Sequence, residues 1–211
     1  MKALLVLGSG GHARVLAETA DLTGRFSCIA FLDDRYQDFP VSSTVLGWPV
    51  LGPLSHAFRP EIAQEFSAAL VGIGHCSTRM HWLEQLTSFG YASPPLIHPT
   101  AFISCSAQIG PGSVVFAQSA VQAQVCIGSG VILNTGCTVD HDVVIEDGSH
   151  ICPGAHLAGG VHVGKRSWIG IGASVIQQVR IGTDVTVGAG AAVIQDLPDG
   201  VTAVGVPARI R

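Results

Sequence analysis

The feature that most constrains this chain is a six-residue repeat. From residue 103 onward an aliphatic side chain recurs at every sixth position without a break: Ile103, Ile109, Val115, Val121, Ile127, Leu133, Val139, Ile145, Ile151, Leu157, Val163, Ile169, Val175, Ile181, Val187 and Val193. Two positions before each stands a residue no larger than valine, from Ala101 and Ala107 through Cys137 and Ser149 to Ala191. A period of six fits neither the 3.6 of a helix nor the simple alternation of a strand. It suits short strand-and-turn units wound into a solenoid, with a large and a small interior slot alternating. Three units make a coil of 18 residues, and the sixteen units make about five coils. Gly110, Gly128, Gly164 and Gly182 fall on one 18-residue grid, interrupted at Glu146. Such a column predicts either positive φ or close backbone approach at one turn.

Composition separates the rest of the chain from this repeat. Hydrophobic residues make up 47% and aromatics 6%, and after residue 98 the aromatics are Phe102, Phe116 and Trp168 alone, so the two parts have different cores. Mean hydropathy is +0.44, but no run approaches the ~20 apolar residues needed to span a bilayer. The apolar opening at residues 1–7 runs straight into Gly8-Ser9-Gly10-Gly11, which reads as a strand and turn rather than an export signal. Six cysteines without a CxxC pair read as free thiols in a reducing compartment, and a cytoplasmic location is expected. The net charge of -4 has no local concentration, which argues against a nucleic-acid surface and suits small-molecule work.

Residues 1–95 read as a small Rossmann-like βαβ unit, and 96–211 as the β-helix. In the first, 3–7 form a strand, 8–13 a glycine turn, 13–20 a helix, 28–32 a second strand ending at Asp33-Asp34, and 68–73 a third, followed by a helix to about residue 89. Pro94-Pro95 marks the boundary. Gly8, Gly10 and Ala13 satisfy the G-x-G-x-x-G/A pattern of dinucleotide sites, with the acidic pair about 20 residues on. An NAD-dependent oxidoreductase is therefore a competing reading. Against it, about 95 residues supply only one mononucleotide-sized half, and the glycine turn at a helix start specifies a phosphate rather than a nicotinamide.

The repeats resemble those of the left-handed β-helix acyltransferases with hexapeptide repeats, and Gly205-Val206-Pro207-Ala208-Arg209 is similar to their Gly-Asn-Pro-Ala-Lys signature. The left hand is implied by that resemblance, since parallel crossovers in general favour the right hand. Over its full length the chain resembles the bacterial nucleotide-sugar and sialic acid acetyltransferases. The motifs that carry this are Gly10-Gly11-His12, Phe31-Leu32-Asp33-Asp34, Gly74 with Arg79, Ile97-His98-Pro99, Asn134-Thr135, His141-Asp142, His150-Ile151, Gly154-Ala155 and Ala158-Gly159. Two departures are Gly10, where serine is common, and His75-Cys76, where Asp or Asn is usual.

The resemblance implies acetyl-CoA as co-substrate and a nucleotide-activated amino sugar as acceptor, N-acetylated on a 4-amino-4,6-dideoxy ring. A sialic acid hydroxyl is the alternative acceptor, and a non-catalytic β-helix scaffold the bland one. It implies a homotrimer with sites between subunits, and the charge and apolar runs lead to the expectation of no nucleic acid and no membrane insertion. His141 is expected as the general base, supported by Asp142 where the family has Glu. His141 stands two residues after core Val139, on a turn and between Asp140 and Asp142, and histidine suits the base role near neutral pH. His150, Gly159, Ile171 and Ala189 are expected at acetyl-CoA, with the Gly159 N–H polarising the thioester. Gly10, Gly11, His12, Asp33, Asp34 and Gly74 are expected at the nucleotide sugar. No metal is expected, because His150, His156 and His162 are six apart and fall on successive faces of a coil. Cys137 occupies a small interior slot, while Cys126 and Cys152, beside core positions, could face outward, with no histidine beside them. Direct transfer, rather than a covalent acetyl-enzyme, follows.

Overall fold

The computed structural model describes residues 2–36 and 44–211. The chain divides into two compact units, with the division after Pro94.

The first unit runs β1 (Lys2–Leu7), α1 (Gly11–Leu22), β2 (Phe26–Leu32), a short hairpin of β3 (Thr44–Val45) and β4 (Trp48–Pro49), a 3-10 turn (Leu54–Phe58), α2 (Pro60–Glu65), β5 (Ala68–Val71) and α3 (Cys76–Phe89). Its parallel sheet has the order β2-β1-β5. Leu4, Leu5, Val6 and Leu7 are all fully buried, as a central parallel strand covered on both faces requires. In α1 the buried residues Ala13, Leu16, Ala17 and Ala20 recur at three- and four-residue spacing, which turns one face of the helix to the sheet. A Cβ on Gly72 would lie 2.5 Å from the Ala13 Cβ, so both positions must be small for the helix to cross here. The third strand stops at Val71, two residues short of expectation, because Gly72, Ile73 and Gly74 leave the sheet as a loop. The early aromatics gather beside this sheet: Phe58 stacks on Trp82 at 6.1 Å and meets Phe89 edge-on at 5.2 Å.

The second unit is a parallel β-helix of three sheets. The first sheet carries Leu96–Ile97, Val114–Val115, Ile132–Leu133, His150–Ile151, Trp168–Ile169, Thr186–Val187 and Thr202–Val204, closed by antiparallel Arg209–Ile210. The second carries Phe102–Ile103, Ala120–Val121, Thr138–Val139, His156–Leu157, Ser174–Val175 and Ala192–Val193. The third carries Gln108–Ile109, Cys126–Ile127, Val144–Ile145, His162–Val163 and Arg180–Ile181. Register advances by one 18-residue coil, as in Thr138↔His156 and Val139↔Leu157. The winding begins one unit earlier than the uninterrupted column suggested, at Leu96–Ile97, and continues past Val193 into Thr202–Val204, so it exceeds five coils.

Both interior slots are filled as the repeat requires, with Val139, Val143 and Ile145 among the many fully buried residues of one continuous core. The small slot also does hydrogen-bonding work. Buried Ser149 donates to the Gly164 carbonyl at 2.8 Å, and Ser167 donates to that of Gly182 at 2.7 Å. Of the two explanations for the glycine grid, close approach is the one observed. A Cβ on Gly110 would lie 2.6 Å from the Gly128 carbonyl carbon, and one on Gly164 2.6 Å from that of Gly182. Positive φ belongs to a different column, recurring every sixth residue from Gly112 to Gly190 and including Gln118, Gln124, Asp142, Arg166, Gln178 and Asp184.

Candidate active sites

In the first unit Gly10, Gly11, His12, Asp33, Asp34 and Gly74 line one cavity of about 450 Å³, together with Gly8, Arg35, Leu54, Gly72 and Ile73. The cavity lies at the carboxyl ends of the strands and the start of α1, where parallel α/β sheets bind their ligands. Gly8 turns the chain with φ +93°, while a Cβ at Gly10 or Gly11 would meet no protein atom within 4 Å. The first helical N–H groups there are open to close approach by an anion. Burial, and then the charge of Arg79, pull the His12 pKa down to about 4, so this imidazole is neutral at pH 7. Arg79 itself is buried and donates to the carbonyls of Ile73 (3.2 Å) and Gly74 (2.7 Å), shaping the loop that forms one cavity wall.

The two aspartates are not equivalent. Asp33 is 7% exposed and accepts from the Ser9 N–H (2.9 Å), Ser9 Oγ (2.6 Å), the Arg35 N–H (2.9 Å), Arg35 Nε (3.3 Å) and Arg35 Nη2 (3.3 Å). Burial alone would raise its pKa, but the bonds from Arg35 and Ser9 outweigh this and hold it at about 2. Asp34 is exposed, and its Oδ1 accepts the Leu54 N–H at 2.9 Å.

In the second unit His141 lies on the turn between the second and third sheets. Its Nδ1 is 2.8 Å from Asp142 Oδ2, and its backbone N–H donates to Asp140 Oδ1 at 2.8 Å. A carboxylate only accepts, so the proton sits on Nδ1 and Nε2 keeps its lone pair. The bond to Asp142, and next the charge of Asp140, raise the His141 pKa above the ordinary histidine value. Asp142 has φ 57°, a left-handed conformation that Asp tolerates better than most residues. Gly159 lies one coil on: a Cβ there would stand 2.6 Å from His141 Cε1 and Nε2. Asp140 also borders a cavity of about 470 Å³ on the second sheet, with Thr138, His156, Ala158, Ser174 and Ile176.

The remaining residues expected at acetyl-CoA sit elsewhere on this unit. His150 is buried on the first sheet, with its ring centroid 4.3 Å from that of Trp168 on the next coil. Asn134 Nδ2 donates to His150 Nε2 at 3.1 Å, its own Oδ1 being fixed by the Thr135 N–H. Ile171 and Ala189 are exposed on the turn after the first sheet, one coil apart, joined by Gly190 N–H to Ile171 O at 2.8 Å. A single chain thus brings Gly159 to His141 but places His150, Ile171 and Ala189 on another sheet and corner. Ser9, Arg35 and Trp168 escaped the sequence reading; Trp168, 18 residues after His150, was findable from the coil period.

His150, His156 and His162 lie on three different sheets. Burial pushes the Cys137 thiol up to about 11. Cys126 is exposed, but Cys152 is buried, contrary to expectation: it directly follows its aliphatic neighbour at a corner where Phe116, two coils earlier, is also buried.

A glycine-turn cavity on a parallel α/β unit, followed by a parallel β-helix with a His–Asp pair on one of its turns, defines the class of two-part hexapeptide-repeat acyltransferases. Residues 3–86 match the PglD N-terminal domain. The chain is 42% identical to the acetyltransferase domain of PglB from Neisseria gonorrhoeae FA1090, with 100% of each chain covered and a TM-score of 0.94. That domain has also been solved in complex with acetyl coenzyme A. PerB from Caulobacter crescentus, solved in complex with CoA and GDP-perosamine, is 38% identical, with 100% of this chain and 98% of that chain covered and a TM-score of 0.90. UDP-N-acetylbacillosamine N-acetyltransferase of Bacillus subtilis (strain 168) is 38% identical over 118 residues, and the chain spans about half of it, 52%. The chain belongs to the bacterial nucleotide-sugar acetyltransferase family.

Proposed function

We propose that this chain transfers the acetyl group of acetyl-CoA to the amine of a nucleotide-linked 4-amino-4,6-dideoxy sugar, with His141 as general base. The observation that carries this is the 2.8 Å bond from His141 Nδ1 to Asp142, which leaves Nε2 as a proton acceptor on an exposed turn. The amine nitrogen attacks the thioester carbonyl carbon as its proton passes to Nε2. The carbon–sulfur bond then breaks, and the imidazolium returns the proton to the leaving thiolate. No hydrogen bond among the described residues takes up the Gly159 N–H beside the imidazole, and we assign it to the oxyanion.

Complexes of the relatives support the substrates: the PglB domain is solved with acetyl coenzyme A, and PerB with CoA and GDP-perosamine. The first unit takes the nucleotide sugar through the cavity at Gly10, Gly11, His12, Asp34 and Gly74, and the second performs the transfer. Because His150, Ile171 and Ala189 lie away from His141 in one chain, acetyl-CoA meets both sets in a groove between two copies of a homotrimer. We place the reaction in the cytoplasm; six free cysteines suit a reducing compartment, and no helix among the described residues is long and apolar enough to cross a membrane.

The test is a panel of UDP-, dTDP- and GDP-linked 4-amino sugars assayed with acetyl-CoA for release of the CoA thiol, in the wild type and in His141→Ala. Turnover on at least one member and a kcat loss of ~10² to 10⁴ in the variant, with acetyl-CoA affinity little changed, is the expected result. A folded His141→Ala chain with near-normal turnover overturns the mechanism, and full activity of a monomer in light scattering overturns the shared groove.

A further inference from the structure

The pair Asp33-Asp34 offers two carboxylates to the same cavity, and dinucleotide folds use an acid at this place to bind a ribose diol. The hydrogen bonds in this chain give the two residues different tasks. Five donors converge on Asp33, two from Ser9 and three from Arg35, and they occupy both of its oxygens. A carboxylate has about four lone-pair sites, so this one has no capacity left for a ligand hydroxyl. Asp34 commits Oδ1 to the Leu54 N–H and is exposed at the cavity.

We propose that Asp33 is a positioning residue, which locks the glycine turn and the Arg35 guanidinium in place, and that Asp34 is the carboxylate that contacts the nucleotide. The proposal rests on the reading of this cavity as the nucleotide-sugar site and assigns its specificity to one acid rather than two. Ser9 stands between Gly8 and Gly10, and Asp33 ties both its backbone N–H and its hydroxyl, so the turn enters α1 in a single conformation. Arg14 Nε reinforces this from the helix side by donating to Ser9 O at 3.3 Å. On the other flank Asp33 grips Arg35 through Nε and Nη2, while 65% of the Arg35 side chain remains exposed. That arrangement aims a fixed cation at a cavity that also receives the first N–H groups of α1, which suits a diphosphate. Asp34, with an oxygen beyond its Leu54 bond, accepts N–H or O–H donors from the base or ribose. The arrangement also disfavours NAD, because the acid that would take the adenosine ribose is the one already filled.

The experiment uses the full chain and free UDP, dTDP and GDP as probes in calorimetry, with Asp33→Asn, Asp34→Asn, Arg35→Gln and the double variant Asp33→Asn/Arg35→Gln. Hydrogen exchange at residues 9–14 is followed without nucleotide. Asp34→Asn should weaken the best-bound nucleotide by ~10-fold or more and leave exchange at 9–14 unchanged. Asp33→Asn should weaken binding and also speed exchange at 9–14 in the free chain, which loss of a direct ligand contact would not do. Its binding penalty should shrink in the Arg35→Gln background, as for residues that act through one another. Unchanged exchange in Asp33→Asn, or strictly additive penalties with Arg35→Gln, overturns the positioning role. Wild-type affinity in Asp34→Asn overturns the contact role. A wild type that binds none of the three nucleotides sinks the reading of the cavity itself, while the exchange data on the free chain still decide whether Asp33 holds the turn.

Discussion

His141 and Gly159 are packed so closely that any side chain at 159 would occupy the space of the imidazole: an added Cβ would stand 2.6 Å from both Cε1 and Nε2. The coil period sets this relationship, since residue 159 follows residue 141 by one 18-residue turn and Gly160 N–H bonds His141 O at 2.9 Å. The ring therefore rests on bare backbone, oriented from one side by Asp142 and from below by the glycine. Gly159→Ala should push the ring aside. The clash is with the end of an exposed side chain that can swing away, so stability should change by less than ~1 kcal/mol. Catalysis should suffer far more, with kcat down ~10- to 100-fold because a misplaced base no longer reaches the amine. Paired melting curves and steady-state kinetics check this; a large fall in melting temperature with kcat intact would contradict it.

The Asp142 bond also predicts a pH dependence. His141 must be neutral to act as a base, and its pKa is raised above the ordinary value, first by the bond to Asp142 and then by the charge of Asp140. Activity should rise with pH through that elevated pKa. Asp142→Asn removes the charge while tolerating the left-handed backbone at φ 57°, so the acidic limb of the kcat profile should move to lower pH and the plateau should fall. An acidic limb that stays in place in the variant would show that Asp142 does not govern the base.

Much of this was legible because the β-helix repeats its physics every six residues. The aliphatic column from Ile103 to Val193 announces itself. The earlier rung at Ile97 fits the same six-residue column, but it directly follows Pro94-Pro95, which reads as a domain boundary rather than as part of a coil. The glycine grid at Gly110 and Gly128 was visible, but sequence cannot distinguish positive φ from close approach. The true left-handed column escaped notice because Gln118, Asp142 and Arg166 share it with the glycines. In the first unit the cavity residues were readable from the glycine turn and the acidic pair. The partition between Asp33 and Asp34 was not, since it depends on how Ser9 and Arg35 fold back onto one carboxylate.

The serine rungs should matter to stability more than their size suggests. Ser149 is fully buried, donates to Gly164 O at 2.8 Å and accepts the Ser167 N–H at 3.3 Å. Ser149→Ala leaves those buried groups without the hydroxyl and should cost about 1 to 3 kcal/mol. Val139→Ala, which opens a cavity in the aliphatic column, should cost a similar ~1 to 3 kcal/mol by a different route. Denaturant unfolding distinguishes the two sites from surface positions; a Ser149→Ala chain as stable as wild type would mean the carbonyl and N–H find new partners.

His12 makes the first unit sensitive to acid. Its pKa is about 4 in the folded chain, lowered by burial and then by Arg79, against 6.5 for a free imidazole. Between those values the unfolded chain binds a proton that the folded chain does not, so stability must fall as pH drops from 6.5 towards 4. Integrated from pH 7 to pH 5, the loss is about 2 kcal/mol, before most carboxylates begin to titrate. The two compact units need not unfold together, so a single melting temperature is a poor probe. Amide exchange in β1 and α1 reports on the first unit directly, and its protection should weaken across this window while that of the β-helix core stays level. His12→Gln, which cannot gain a proton, should remove the slope between pH 7 and pH 5. If the variant keeps the wild-type slope, the acid sensitivity belongs to another group and His12 is protonated without cost.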